Sequence, residues 1–215
     1  MKKLWLLLIL FLNINVTGEN KSFIEDSYKD FFKFVENKRR VEKNVEEVLL
    51  KIERQKRYDT IYFYVKKYIK KAEGYRSKPY YCLGGERTIG FGHVISSSDS
   101  LNYPINKNVA DSLLDKDLNA AINYVEKVTE LDKYKNPFKV LALSSLVYNI
   151  GSGNFQNSSL LRKIKTGGNV SEEFIKWIYI NNSKGVNENN HLKNRRFKER
   201  SMYYADNLKE VKDFL

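Results

Sequence analysis

The sequence predicts an α+β fold: a small β-hairpin lobe beside a larger helical lobe with a cleft between them, preceded by an extra N-terminal helical segment. Three observations lead there. Apolar residues recur at helical spacing over most of the 215 residues. One short stretch, residues 80–95, reads instead as β-like runs joined through Gly84 and Gly85. The composition, 42% hydrophobic and 30% charged, supports a packed core and argues against global disorder.

The chain opens with Lys2 and Lys3, an apolar run over residues 4–12, and then Asn13, Asn15, Thr17 and Gly18. A basic start, a short apolar core and small residues after it read as a secretory signal over residues 1–18. The run is shorter than the roughly 20 apolar residues that span a bilayer. The leader is either cleaved or kept as an anchor.

Residues 19–58 form a charged amphipathic helical segment. Phe31, Phe32 and Val35, then Val41, Val45, Val48, Leu49 and Ile52, fall at helical spacing among Lys and Glu. The segment reads as a solvated helix that packs on the domain behind it.

The remaining residues, 59–215, are assigned to one domain. Ile61, Tyr64, Val65, Tyr68, Ile69 and Ala72 make the apolar stripe of a second helix over residues 60–73, ended by Gly74. After the β-like runs at 80–83 and 88–95, helical spacing returns near Asn106 and is expected to continue to Asp206. Val109, Leu113, Leu114, Leu118 and Ala121 form one stripe, and residues 138–148 are apolar almost all round, as in a buried central helix. Ser171, followed by Glu172 and Glu173, is expected to cap a further helix.

The formal net charge is +12, and +10 if Lys2 and Lys3 leave with the leader. Such a chain suits a polyanionic partner: nucleic acid, an anionic membrane, or a bacterial wall. Export argues against nucleic acid and for the wall. The only cysteine, Cys82, leaves no internal disulfide, and two histidines with one cysteine give no zinc-site spacing. No metal or other cofactor is expected.

Glu73 sits in the last turn of its helix, where unpaired carbonyls disfavour a carboxylate and favour the protonated acid. A general acid needs that bias. Eight residues separate Glu73 from Cys82, and five more separate Cys82 from Thr88. The hairpin is expected to carry Cys82 and Thr88 on neighbouring strands, across the cleft from Glu73. An acid on one side and a water-holding pair on the other is the arrangement that glycoside hydrolysis uses.

The spacing and its surroundings resemble the bacteriophage-type lysozymes, or endolysins, of glycoside hydrolase family twenty-four. Three ordered blocks over about residues 60–205 carry the resemblance. The first is Ala72-Glu73-Gly74 with Tyr80, Cys82, Gly85 and Thr88-Ile89-Gly90-Phe91-Gly92-His93. The second runs from Ala142-Leu143 through Tyr148-Asn149-Ile150-Gly151-Ser152-Gly153-Asn154-Phe155 to Ser158-Ser159-Leu160-Leu161. The third is Trp177, then Asn194-Arg195-Arg196 with Glu199-Arg200. His191 departs from the pattern, which usually has glycine there.

The resemblance implies a lysozyme-like domain that hydrolyses β-1,4 bonds between N-acetylmuramic acid and N-acetylglucosamine in the glycan strands of peptidoglycan. It implies Glu73 as the proton donor, and Cys82 and Thr88 as holders of the attacking water or of the developing charge. The family also places Asp at the Cys82 position. A thiol, with a reference pKa of about 8.5, is the poorer base near neutrality, so Cys82 acts either as a thiolate or as a neutral water holder. Arg195 is the expected partner of Glu73. Gly90, Gly92, Tyr148 and Asn149 are expected along the substrate cleft, and His93 is expected to be structural. The enzyme is expected as a monomer in the periplasm or outside the cell, touching the inner membrane only during export. A lytic transglycosylase and a non-catalytic wall-binding module are the alternatives.

Overall fold

The computed structural model describes residues 18–82, 85–182 and 185–212. Almost all of the expected leader, and Gly84 of the hairpin connection, lie outside the described residues. Among those described, no helix is long and apolar enough to cross a membrane.

The chain divides into two units, Met1–Glu53 and Arg54–Leu215. The described part of the first unit is helical throughout and belongs to α1 (Gly18–Glu73). Its Phe31, Phe34, Val41, Val45, Val48, Leu49 and Ile52 are exposed. Two helices, breaking near residue 59, were expected here; one continuous helix is found. No proline or glycine interrupts residues 19–73, and the run around Glu53, Arg54, Gln55 and Lys56 consists of good helix formers. Thr60 does not start a helix. Its hydroxyl donates to the Lys56 carbonyl, 2.8 Å away, one turn back in the same helix.

In the second unit, the end of α1 buries Tyr58, Ile61, Val65, Tyr68 and Ile69. At Gly74 the backbone turns left-handed (φ +70°), and its N–H closes on the Lys70 carbonyl at 3.1 Å. A three-stranded antiparallel meander follows: β1 (Arg76–Tyr81), β2 (Arg87–Gly90) and β3 (His93–Val94). Tyr80 pairs with Thr88 and Tyr81 with Arg87, Thr88 pairs with Val94, and the β1–β2 register shifts between Arg76 and Tyr80.

The helical lobe begins with α2 (Lys107–Thr129). The Asn106 side chain accepts from the Val109 N–H at 3.0 Å, which caps the helix. Leu113, Leu114, Leu118 and Ala121 face the core as expected, and Val109 does not. The helix α3 (Pro137–Ile150) is buried from Pro137 to Val147 except at Lys139. Proline suits its first turn, where the missing N–H has no partner to lose. Then come α4 (Ser152–Gln156), α5 (Ser159–Lys165) and α6 (Ser171–Ile175). Ser171 is the first residue of α6 rather than its cap. Glu173 lies in the first turn of α6, as expected, and is buried among Lys163, Lys176 and Ser159; the lysines with that hydroxyl hold its carboxyl down to about 2.

The expectation of unbroken helix to Asp206 fails at β4 (Tyr179–Asn182) and β5 (Gly185–Glu188), an antiparallel pair. This stretch is Asn-rich, and Asn prefers turns to helix interiors. Helix resumes with α7 (Asn190–Tyr204), capped by Asn189, and ends with α8 (Lys209–Lys212).

Candidate active site

Glu73 is the last residue of α1, so the left-handed turn at Gly74 fixes the point where its side chain leaves the helix. Its carboxyl is 22% exposed and is held at Oε1 by the Arg195 guanidinium, which donates through Nη1 at 2.5 Å. Arg195 is buried on α7 and also donates to Glu199 Oε1 (3.2 Å) and to the Ser145 carbonyl (3.3 Å). Glu199 accepts from the Ser145 hydroxyl at 2.7 Å and is ion-paired with Arg196 at 3.1 Å. Arg196 in turn donates to the Asn149 side-chain oxygen at 2.8 Å. Two arginines and two glutamates thus tie the end of α1 to α3 and α7. Burial acts to lower Arg195, but the charges of Glu199 and Glu73 overcome it and raise the guanidinium above its ordinary value. Arg195 is therefore a permanent cation beside Glu73.

Across from Glu73 stands the meander. Thr88 on β2 is 2% exposed, and its hydroxyl donates to the Glu86 carbonyl at 3.0 Å. Cys82 lies one residue beyond the end of β1 rather than within a strand. Its N–H donates to the Glu86 carbonyl (3.0 Å), and its carbonyl accepts from Gly85 (2.9 Å). These bonds hold Cys82 at the end of the hairpin, near Thr88.

One cleft of 780 Å3 is lined by Glu73, Cys82 and Thr88 together. Gly92, Tyr148 and Asn149 line it too. Gly92 has φ +101°, and a side chain there would come within 3.6 Å of both Glu73 Oε2 and the Tyr148 hydroxyl. The positive φ is what calls for glycine; a Cβ at that distance would sit in ordinary contact with both groups. Tyr148 donates to the Phe91 carbonyl at 2.7 Å, and burial, followed by the charges of Asp117 and Glu73, pushes its phenol well above the ordinary tyrosine value. It stays a neutral donor that pins the turn between β2 and β3.

Gly90 was expected in the cleft and is not there. A side chain at Gly90 would meet Ala110 at 3.3 Å, so this glycine lets β2 lie against α2. The cleft also includes Tyr81, Glu86 and Val94, which sequence reasoning did not single out. Alternation along the strands puts Tyr80, Thr88 and Val94 side by side, a signal available from the pairing register alone. Glu86 carried no comparable signal.

His93 is buried and structural in position. Its Nδ1 is 2.7 Å from Asp117 on α2, and its Nε2 is 3.1 Å from Asp99. The hydrogen bond to Asp117 raises its pKa, burial opposes, and Asp99 adds to the rise.

Comparison with known proteins places this geometry. The family model for phage lysozyme matches residues 70–199. The endolysin of Bacillus phage B103 is 33% identical over 147 residues, which is 66% of this chain and 53% of that protein. The chain thus spans about half the length of the Bacillus phage relatives it matches. Among solved structures, the endolysin of Escherichia coli O157:H7 phage FAHEc1 superimposes with a TM-score of 0.56 at 25% identity, covering 66% of this chain and 92% of that one. The muramidase domain of SpmX from Asticaccaulis excentricus shares the fold, with a TM-score of 0.57 at 24% identity over 66% of this chain and 95% of that one. With the acid, the sulfur and the hydroxyl facing one cleft inside the matched region, the chain belongs to the phage lysozyme family.

Proposed function

We propose that this chain is a muramidase that hydrolyses β-1,4 bonds between N-acetylmuramic acid and N-acetylglucosamine in peptidoglycan. The observation that carries the reading is the lining of one cleft by Glu73, Cys82 and Thr88. Glu73, positioned by Arg195, donates its proton to the glycosidic oxygen as the bond breaks. Water attacks the anomeric carbon from the opposite side, the side of Cys82 and Thr88. The Thr88 hydroxyl, already committed to the Glu86 carbonyl as donor, presents lone pairs to that water. Cys82 stands where a carboxylate would act as base, so its sulfur orients the water rather than taking a full proton; the proton the water loses passes to solvent, and solvent returns one to Glu73. Gly92, Tyr148 and Asn149 form the wall along which the sugar chain lies. The basic surface holds the enzyme at the anionic wall, and residues 1–18 export it there as a monomer.

The test is lysis of purified wall followed by mass spectrometry of the released muropeptides. Wild type is expected to clear the suspension and leave hydrolysed reducing ends. Glu73→Gln is expected to lose about a hundredfold or more of the rate, the usual contribution of a general acid. Cys82→Ser, which keeps a small polar group, is expected to lose less. Anhydro ends would make the enzyme a transglycosylase. Unchanged lysis by the Glu73→Gln protein would remove the assignment.

A further inference from the structure

The upstream part of α1 carries a long apolar seam. Tyr28, Phe31 and Val35, then Val45, Leu49 and Ile52, fall at alternating steps of three and four residues. These are the a and d positions of a heptad repeat kept up for more than three heptads, the length at which the pattern signals a coiled coil. Phe34, Val41 and Val48 widen the seam along one edge. Phe31, Val45, Leu49 and Ile52 are each between 44% and 55% exposed. A seam roughly 36 Å long, at 1.5 Å per residue, therefore stands in solvent.

Two positions of the seam are charged. Lys38 occupies a d position and Glu42 the next a position, and both are exposed. They decide how two such helices can meet. In a parallel pair each layer sets a residue against its own copy. Lys38 would face Lys38 and Glu42 would face Glu42, two like-charge layers at the centre of the seam. Turned antiparallel about a two-fold axis beside residue 40, every contact occurs twice with the roles exchanged. Lys38 then faces Glu42 of the second copy, and Glu42 faces its Lys38. The same register sets Val35 against Val45, Phe31 against Leu49 and Tyr28 against Ile52. Each apolar position meets an apolar one, and each ring meets an aliphatic chain. Along the widened edge Phe34 meets Val48, and Val41 meets its own copy. Arg39 approaches its own copy on the opposite edge, where it is exposed and salt screens the charge.

We propose that residues 28–52 pair with the same residues of a second copy as an antiparallel coiled coil, with Lys38 and Glu42 fixing its orientation and register. Sliding one helix by a heptad in either direction would set Lys38 against Val35 or against Leu49, a charge in an apolar layer with no counter-charge. Charged residues at a and d positions cost stability and in return exclude such alignments. The cleft is lined within a single chain, so its chemistry does not depend on the pairing. Export as a monomer, proposed above, precedes the pairing, which replaces the sequence expectation that the chain stays single at its destination.

The experiment is sedimentation equilibrium of the full-length protein in a density-matched non-ionic detergent, which keeps residues 1–18 solvated. Wild type is expected to be a reversible dimer. Lys38→Glu and Glu42→Lys each bring like charges together twice, and each is expected to weaken association by about tenfold or more. The double variant Lys38→Glu, Glu42→Lys, and an equimolar mixture of the two single variants, restore opposite charges and are expected to associate as wild type. Lys33→Glu, on the far side of the helix, is expected to change nothing. Circular dichroism checks that every variant keeps its helix. Cross-linking reads the orientation in a Cys82→Ser background under a mild oxidant. Chains with Ser27→Cys are expected to form a disulfide with chains carrying Gln55→Cys, and not with one another. Disulfides between Ser27→Cys chains alone would mean a parallel pair and overturn the proposal. A monomer at every concentration would overturn it too, as would equal association of all the charge variants. Lytic activity plays no part in the readout.

Discussion

At the scale of single residues, the site depends on groups that cannot be exchanged for near relatives. At Gly92, alanine would have to hold a left-handed backbone, a strain of about 1–3 kcal/mol, and would place a methyl group 3.6 Å from the Glu73 carboxyl. Gly92→Ala is expected to lower both the melting temperature and the lytic rate; full activity would show that the turn has slack. His93 gives a pH prediction. Its folded pKa is raised above 6.5 by Asp117, against burial. A raised histidine contributes stability that is fully present below the unfolded pKa near 6.5 and is lost as pH climbs through the folded value. His93→Gln is expected to cost about 3 kcal/mol at pH 5, because it breaks a buried pair, and markedly less at alkaline pH. Thermal melts of both proteins across that range check it. Asp99 acts in the other direction. It is held far below the ordinary carboxylate value, first by hydrogen bonds from the Ser96 N–H and hydroxyl, so its share is lost only as the solution becomes strongly acidic.

At the scale of elements, α3 organises the domain. It meets α2 on one side and α7 on the other, and its Ser145 and Asn149 are bonded into the arginine–glutamate group that holds Glu73. Core and site therefore share a support. Leu143→Ala, at a fully buried position on this helix, is expected to destabilise by about 2–5 kcal/mol through lost burial and the cavity left behind. Denaturant unfolding measures this directly, and a cost below 1 kcal/mol would mean that the site collapses freely. The meander works differently. Its middle strand buries Thr88 and Ile89, which seats Thr88, while Cys82 is placed by short backbone bonds around Glu86 and the turn between β2 and β3 is pinned by Tyr148.

At the scale of the whole molecule, the division at Glu53 separates a charged helical unit from the unit that contains the cleft. A protein beginning at Arg54 is expected to fold cooperatively and to melt within a few degrees of the full chain. Circular dichroism on the shortened protein tests this, and a non-cooperative melt would show that the upstream unit is needed for folding. The net charge of +12 belongs to this scale as well. Attachment to purified wall is expected to weaken as added salt shortens the Debye length, which sedimentation at two salt concentrations would reveal.

The sequence by itself determined that Glu73 ends a helix, and the resemblance of its blocks singled out Glu73, Cys82 and Thr88, which the structure places along one cleft. It also determined the central helix, whose apolar residues run all round. It misplaced what depends on neighbours. Gly90 looked like a cleft glycine, but only the packing of Ala110 shows which surface it faces. Thr60 looked like a helix start until its hydroxyl was seen bonded back along the same helix. The β4–β5 pair was read as helix because strand pairing is not visible in one segment alone. The tertiary structure alone decided the bracing of Glu73 through Arg195, Glu199, Arg196 and Asn149. It joins residues more than a hundred positions apart, and no local periodicity encodes where distant side chains converge.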